Sequence, residues 1–168
     1  MKFAITVALA LFLLTLESVA VKYLGLSVTR IDLTVAMIAF LALRASLMEG
    51  AFSAFAIGYL LDLMSGRPTG LYTFLGVLMF LLGRFSNSFF DVRSAPSFAL
   101  FAAAVDAGHA LLASFFSWMT TRQSGSVGFS LGGFAVQVLL TGAGALALYP
   151  VLRKVDPASE RPEIGALR

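Results

Sequence analysis

Asp106 and His109 stand three residues apart in a long apolar run, a spacing that places both side chains on one face of a helix. An acid and an imidazole so placed can hydrogen-bond to each other and ease the cost of burying both. The same pair can also begin a proton relay or handle a cation. The chain has one histidine and no cysteine, and two ligands do not complete a metal site. Internal pairing is therefore the favoured reading, and no metal site is assigned. A second polar stripe, Gly133, Gln137 and Thr141 with Gly144 near it, has the composition of an interhelical hydrogen-bonding face. Glu17, with Lys22 close by in sequence, fits a charged side chain snorkelling toward an interface.

A third feature combines size and charge. Gly50, Ala54, Gly58 and Asp62 recur every four residues, which makes a slowly drifting ridge along one helix face. Small residues at that spacing let another backbone come close. Asp62 continues the ridge, so it points into protein, either to anchor the turn that follows or to meet a partner.

Catalytic signatures are missing from the sequence. No HExxH motif, Gly-rich phosphate loop after a strand, or pair of carboxylates at a credible separation occurs. The single histidine already has Asp106 beside it, so a Ser-His-Asp set is not assembled. The chain is read as a non-enzyme with no catalytic residues and no cofactor.

The elements that must carry these residues follow from composition. Of the 168 residues, 59% are hydrophobic and 12% charged, with a mean hydropathy of +0.91. Soluble domains run near 45–50% apolar and about 25% charged, so both departures point toward lipid. A membrane-crossing helix takes about 20 mostly apolar residues, and about six of them use most of the chain. Helices are predicted at about 3–23, 31–48, 49–64, 70–86, 95–119 and 128–152. Arg44, Glu49 and Gly50 read as a tight turn between the second and third. The expected fold is an all-α integral membrane bundle over 1–154, with a short cytoplasmic tail at 155–168.

The first run, Lys2 followed by Phe3–Leu14 and then Ser18-Val19-Ala20, also has the outline of a secretion signal. A retained first helix is preferred, because further apolar runs follow it. If the N-terminus is cytoplasmic, the cytoplasmic connections hold Lys2, Arg44, Arg84, Arg93, Arg153, Lys154, Arg161 and Arg168. Lys22, Arg30, Arg67 and Arg122 then fall outside. Cationic residues favour the cytoplasmic side, so both termini are expected there. The net charge of +3 comes from scattered cations with no interleaved aromatic stripe, which argues against nucleic-acid binding.

One stretch carries a family resemblance. Gly58-Tyr59-Leu60-Leu61-Asp62-Leu63-Met64-Ser65-Gly66-Arg67-Pro68-Thr69-Gly70-Leu71-Tyr72 resembles the signature of the MreD family of rod shape-determining membrane proteins. There a Gly-containing helix ends near an Asp, and a Gly-x-Pro-x-Gly-Leu-like turn leads into the next apolar helix. Gly58, Asp62, Gly66, Pro68, Gly70 and Leu71 match that pattern, and Arg84, expected after the fourth helix, looks familiar as well.

The resemblance implies a non-enzymatic subunit of the bacterial cell-elongation machinery in the cytoplasmic membrane. It would bind a single-span MreC-like protein and work beside a RodA-type glycosyltransferase, a class B penicillin-binding transpeptidase and, less directly, the MreB filament. The helical core of that family is also similar to the substrate-binding subunit of ECF-type vitamin transporters. That similarity implies an alternative role in taking up a small solute, with Asp106, His109 and Trp118 as candidate lining groups. In the scaffold role, Gly50, Ala54, Gly58, Asp62, Gly66, Pro68, Gly70 and Arg84 are the structural or partner-binding candidates. Asp106, His109 and Gln137 are the candidate buried polar groups.

Overall fold

A computed structural model describes residues 2–24, 32–65, 70–87, 92, 94–120 and 131–155. Six helices are described: α1 (Lys2–Leu24), α2 (Leu33–Arg44), α3 (Leu47–Met64), α4 (Leu71–Ser86), α5 (Ala95–Thr120) and α6 (Leu131–Val155). Three contain apolar stretches long enough to cross a membrane: Leu47–Met64, Ala95–Phe116 and Gly133–Lys154. The apolar stretches of the others are shorter, at Ala4–Val19, Leu33–Arg44 and Leu71–Ser86.

Helix α2 is the centre of the bundle. Its residues are buried without a break from Thr34 to Ala42, and it packs against all five other helices. A helix that is apolar all round belongs inside a structure. At 12 residues it is only about 18 Å long, well short of a bilayer core of about 30 Å. Its buried stretch, Thr34–Ala42, lies between half-buried Asp32 and exposed Arg44 at its two ends. Ala10 and Leu13 of α1 join the same core as α2, so the first helix packs as part of the bundle.

The outer surface is apolar in turn. Leu100 is 75% exposed, and Met48 and Leu139 are each 72% exposed. Thr34, Ser53, Asp62, Asp106, His109 and Thr141 are buried instead. This distribution reverses the usual order of a water-soluble domain.

Helix α5 starts from a reciprocal serine cap. Ser97 N–H donates to Ser94 Oγ at 3.3 Å, and Ser94 N–H donates to Ser97 Oγ at 3.1 Å. Pro96 falls in the first turn, where its missing N–H costs nothing. The cap sets the start of the helix that carries Asp106 and His109.

Two expected boundaries are corrected. The break between the second and third helices lies at Ala45–Ser46, where both backbones are extended, and not at Glu49–Gly50. Ser46 is the type of residue that starts a helix. Gly50 lies inside α3, where a Cβ would strike the Phe80 ring, so its small size serves packing and not a turn. Arg84 lies in the last turn of α4 and not after it.

Candidate functional site

Helices α3 and α4 form an antiparallel pair fastened along its length. Near Gly50, the Phe80 ring of α4 occupies the space a side chain would need. In the middle, a Cβ on Gly76 would lie 2.9 Å from the Ala54 carbonyl oxygen. Near the other end, a Cβ on Gly58 would lie 2.5 Å from Tyr72 O and 2.6 Å from Thr73 Cα. The ridge of Gly50, Ala54, Gly58 and Asp62 is buried and occupied by α4. Of its two readings, structural or partner-binding, the packing takes the structural one, and the ridge is not a free surface for another protein.

Asp62 finishes the ridge with chemistry. Its Oδ1 accepts the Tyr72 N–H at 3.1 Å. Its Oδ2 accepts both the Thr73 N–H at 2.9 Å and the Thr73 hydroxyl at 2.6 Å. These backbone donors are in the first turn of α4, whose N-terminal amides have no partners within the helix. The residue at the N-cap position is Gly70, with φ of +74° and no side chain to offer. Asp62 thus caps α4 from the neighbouring helix, and its charge also suits the positive end of the helix dipole. Gly70 is needed for its backbone, since φ in that range favours glycine. Gly66 and Pro68 lie outside the described residues.

Arg84 fastens the opposite end. Its Nη1 donates to the carbonyl oxygen of Ala45 at 2.6 Å, the carbonyl freed where α2 stops and α3 begins. A cation at the last turn of α4 also complements that helix's negative end. One acid and one base thus hold the two ends of the α3–α4 hairpin.

A polar cluster lies where α2 begins, against α5 and α6. His109 Nδ1 faces Asp32 Oδ2 at 3.8 Å. Asp32 Oδ1 accepts the Thr34 hydroxyl at 2.9 Å, and the Asp32 N–H donates to Thr141 Oγ1 at 3.2 Å. Gln137 Nε2 donates to Asp106 Oδ1 at 3.4 Å, while Asp106 Oδ2 has no hydrogen-bond partner. Nearby, the Tyr72 and His109 rings lie 6.2 Å apart between centroids, so the capped end of α4 adjoins the cluster.

The expected Asp106–His109 pairing is replaced by two others, His109 with Asp32 and Asp106 with Gln137. The α6 stripe does serve interhelical bonding, through Gln137 and Thr141. Gly142 on the same helix would bring a Cβ to 3.4 Å from Ala103 Cβ, an ordinary contact between α5 and α6. The Trp118 side chain lies outside the described residues.

Asp32 is the member that sequence reasoning missed. It lies 74 positions before Asp106 (106 − 32), and the predicted helix began before it. A signal was present, since an Asp just ahead of the apolar run from Leu33 marks a helix start. That signal places the residue but not its partners. The count of potential ligands rises from two to three: atoms of Asp32, Asp106 and His109 all lie within 4.8 Å of one another.

No protein-family model, curated protein or solved structure matches the chain.

Proposed function

We propose that the chain is a multi-pass protein of the bacterial cytoplasmic membrane and a non-enzymatic scaffold of the cell-elongation complex, in the manner of MreD. Its partners in this reading are a single-span MreC-like protein, a RodA-type glycosyltransferase and a class B penicillin-binding transpeptidase, with the MreB filament reached indirectly. The membrane part of the reading draws on the apolar outer surface and on the three long apolar helices. At the Ala45–Ser46 break, the Ala45 carbonyl freed from the helix is satisfied by Arg84, as irregular backbone near a membrane requires.

The observation that carries the reading is the use to which the resembling residues are put. Gly58, Asp62 and Gly70 build and cap the α3–α4 hairpin. None is placed to do chemistry. A stretch whose residues fix a shape suits a protein recognised by shape. The partner surface then belongs to the outward faces, such as those bearing Phe52, Leu100 and Leu139, all exposed.

The test is affinity purification of the tagged chain from native membranes, with photo-crosslinkers placed at Phe52, Leu100 and Leu139. A single-span MreC-like protein is expected to co-purify and to crosslink from at least one position. Gly58→Leu is expected to abolish both and to disturb rod shape. Full partner retention and normal rods with Gly58→Leu would count against the scaffold.

A second reading, a solute-binding component of an ECF-type transporter, is favoured by the cluster of half-buried Asp32 with buried Asp106 and His109. Recovery of ATPase subunits in place of an MreC-like protein would select it.

A further inference from the structure

We propose that Asp32, Asp106 and His109 form a binding site for a divalent transition-metal cation of the zinc class. Gln137 serves as the outer hydrogen-bond partner that orients Asp106. This site goes beyond the scaffold reading and does not depend on the identity of any protein partner.

The first observation is convergence. Three potential ligand atoms, two carboxylate oxygens and an imidazole nitrogen, lie within 4.8 Å of one another. They come from the start of α2 and from two positions on α5. A zinc-class cation bonds such atoms at about 2.0–2.2 Å, which sets tetrahedral ligands roughly 3.4 Å apart. His109 Nδ1 and Asp32 Oδ2, at 3.8 Å, are close to that separation already.

The second observation is independent of the first. Asp106 is 0% exposed, and its Oδ2 is buried with no hydrogen-bond partner. Besides Gln137, the Thr141 hydroxyl interacts with this carboxylate but makes no hydrogen bond to Oδ2, so the burial of that oxygen remains costly. Its companion oxygen is already held by Gln137 at 3.4 Å, an arrangement in which one oxygen is oriented and the other is left for a ligand. Metal-binding carboxylates are commonly supported by outer hydrogen bonds of this kind.

Charge favours the same occupant. Two ionised carboxylates this close, one of them fully buried, would repel one another. A protonated His109 balances only one of them. A divalent cation balances both and leaves His109 neutral, the form in which imidazole ligates metals. Mixed oxygen and nitrogen donors favour zinc-class ions over calcium, which takes oxygen ligands. Three protein ligands leave a position open for water or an exogenous group. The Asp32 side chain is 18% exposed, so the cluster is reachable from outside the bundle.

The experiment uses the full chain purified in detergent and stripped with chelator. Zn2+, Mn2+ and Ca2+ are titrated separately by calorimetry, and Co2+ is titrated with its visible absorption as a ligand-field readout. About one equivalent of Zn2+ per chain is expected, with a chelator-reversible rise in Tm and a Co2+ spectrum of mixed nitrogen and oxygen ligation. Asp106→Asn and His109→Gln are expected to abolish saturable binding. Gln137→Leu should weaken it about 10–100-fold, the range for outer-shell partners. Glu49→Gln, which removes a carboxylate elsewhere, should bind as the parent does.

Absence of saturable Zn2+ binding by the parent chain would overturn the site. So would binding undiminished in Asp106→Asn and His109→Gln, which would mark an adventitious surface ion only. Calcium binding as tight as zinc would overturn the assigned class of metal. The parent chain is measured first, so absence of saturable binding there decides against the site whether or not a variant folds.

Discussion

One carboxylate oxygen of Asp62 accepts both the backbone N–H and the hydroxyl of Thr73, at 2.9 and 2.6 Å. A single side chain at the end of α3 thus fixes the first turn of α4, including a residue 11 positions later in the chain. Asp62→Ala would leave the Tyr72 and Thr73 amides without their acceptor. The expected loss is about 2–3 kcal/mol, the scale of hydrogen bonds to a charged group. Asp62→Asn keeps one carbonyl acceptor and should lose less. Reversible unfolding in mixed micelles measures both, and equal stability of Asp62→Ala and the parent would contradict the cap.

Gly58 and Gly142 make a controlled comparison. A methyl group on Gly58 meets backbone atoms of Tyr72 and Thr73 at 2.5–2.9 Å, whereas one on Gly142 meets Ala103 Cβ at 3.4 Å. Backbone cannot step aside as a flexible side chain can. Gly58→Ala is expected to cost about 1–3 kcal/mol, the range for overpacking. Gly142→Ala should be near neutral. Equal thermal stability of the two variants in detergent would show that α3 and α4 are not held this closely.

How much of the chain is legible in its sequence depends on how local each signal is. The α3 ridge is legible because Gly50, Ala54, Gly58 and Asp62 share one helix face, and a period of four is visible in the sequence. What occupies that face is not legible, since Phe80 and Gly76 belong to another helix. The α2–α3 break shows the limit of composition. Gly50 has the profile of a turn residue, yet the extended backbone lies at Ala45–Ser46, where the Arg84 contact spans 39 positions. In the polar cluster, Asp106 and His109 are visible as neighbours on α5, but each takes its partner from elsewhere in the bundle. A spacing of three shows that two groups share a face. It does not show what that face meets.

Arg84 offers a test at the opposite end of the hairpin. Its guanidinium donates to the carbonyl oxygen of Ala45, and lysine lacks that planar fork. Arg84→Ala should cost about 1.5–3 kcal/mol if the full charge-assisted bond is lost, and Arg84→Lys an intermediate amount. The damage should be local at first. Amide hydrogen exchange is expected to quicken at Gly50, whose N–H donates to Ser46 O just beyond the break. Unchanged exchange there would separate Arg84 from the α2–α3 corner.

Thr141 provides the last test, because it ties the start of α2 to the middle of α6. Its hydroxyl oxygen accepts the Asp32 N–H at 3.2 Å, and the side chain is 0% exposed. Thr141→Val keeps the shape closely and removes the acceptor. Interhelical hydrogen bonds in membrane proteins average about 0.6 kcal/mol and reach about 1.7, so the loss should fall in that range. Thr141→Ser keeps the hydroxyl and should recover most of the bond, with a small deficit from the missing methyl group. A stability order of Thr, then Ser, then Val would identify the hydroxyl as the source. If Val matched Thr, the α2–α6 contact would owe its strength to packing alone, and Asp32 would be positioned by Thr34 and the α2 backbone without help from α6.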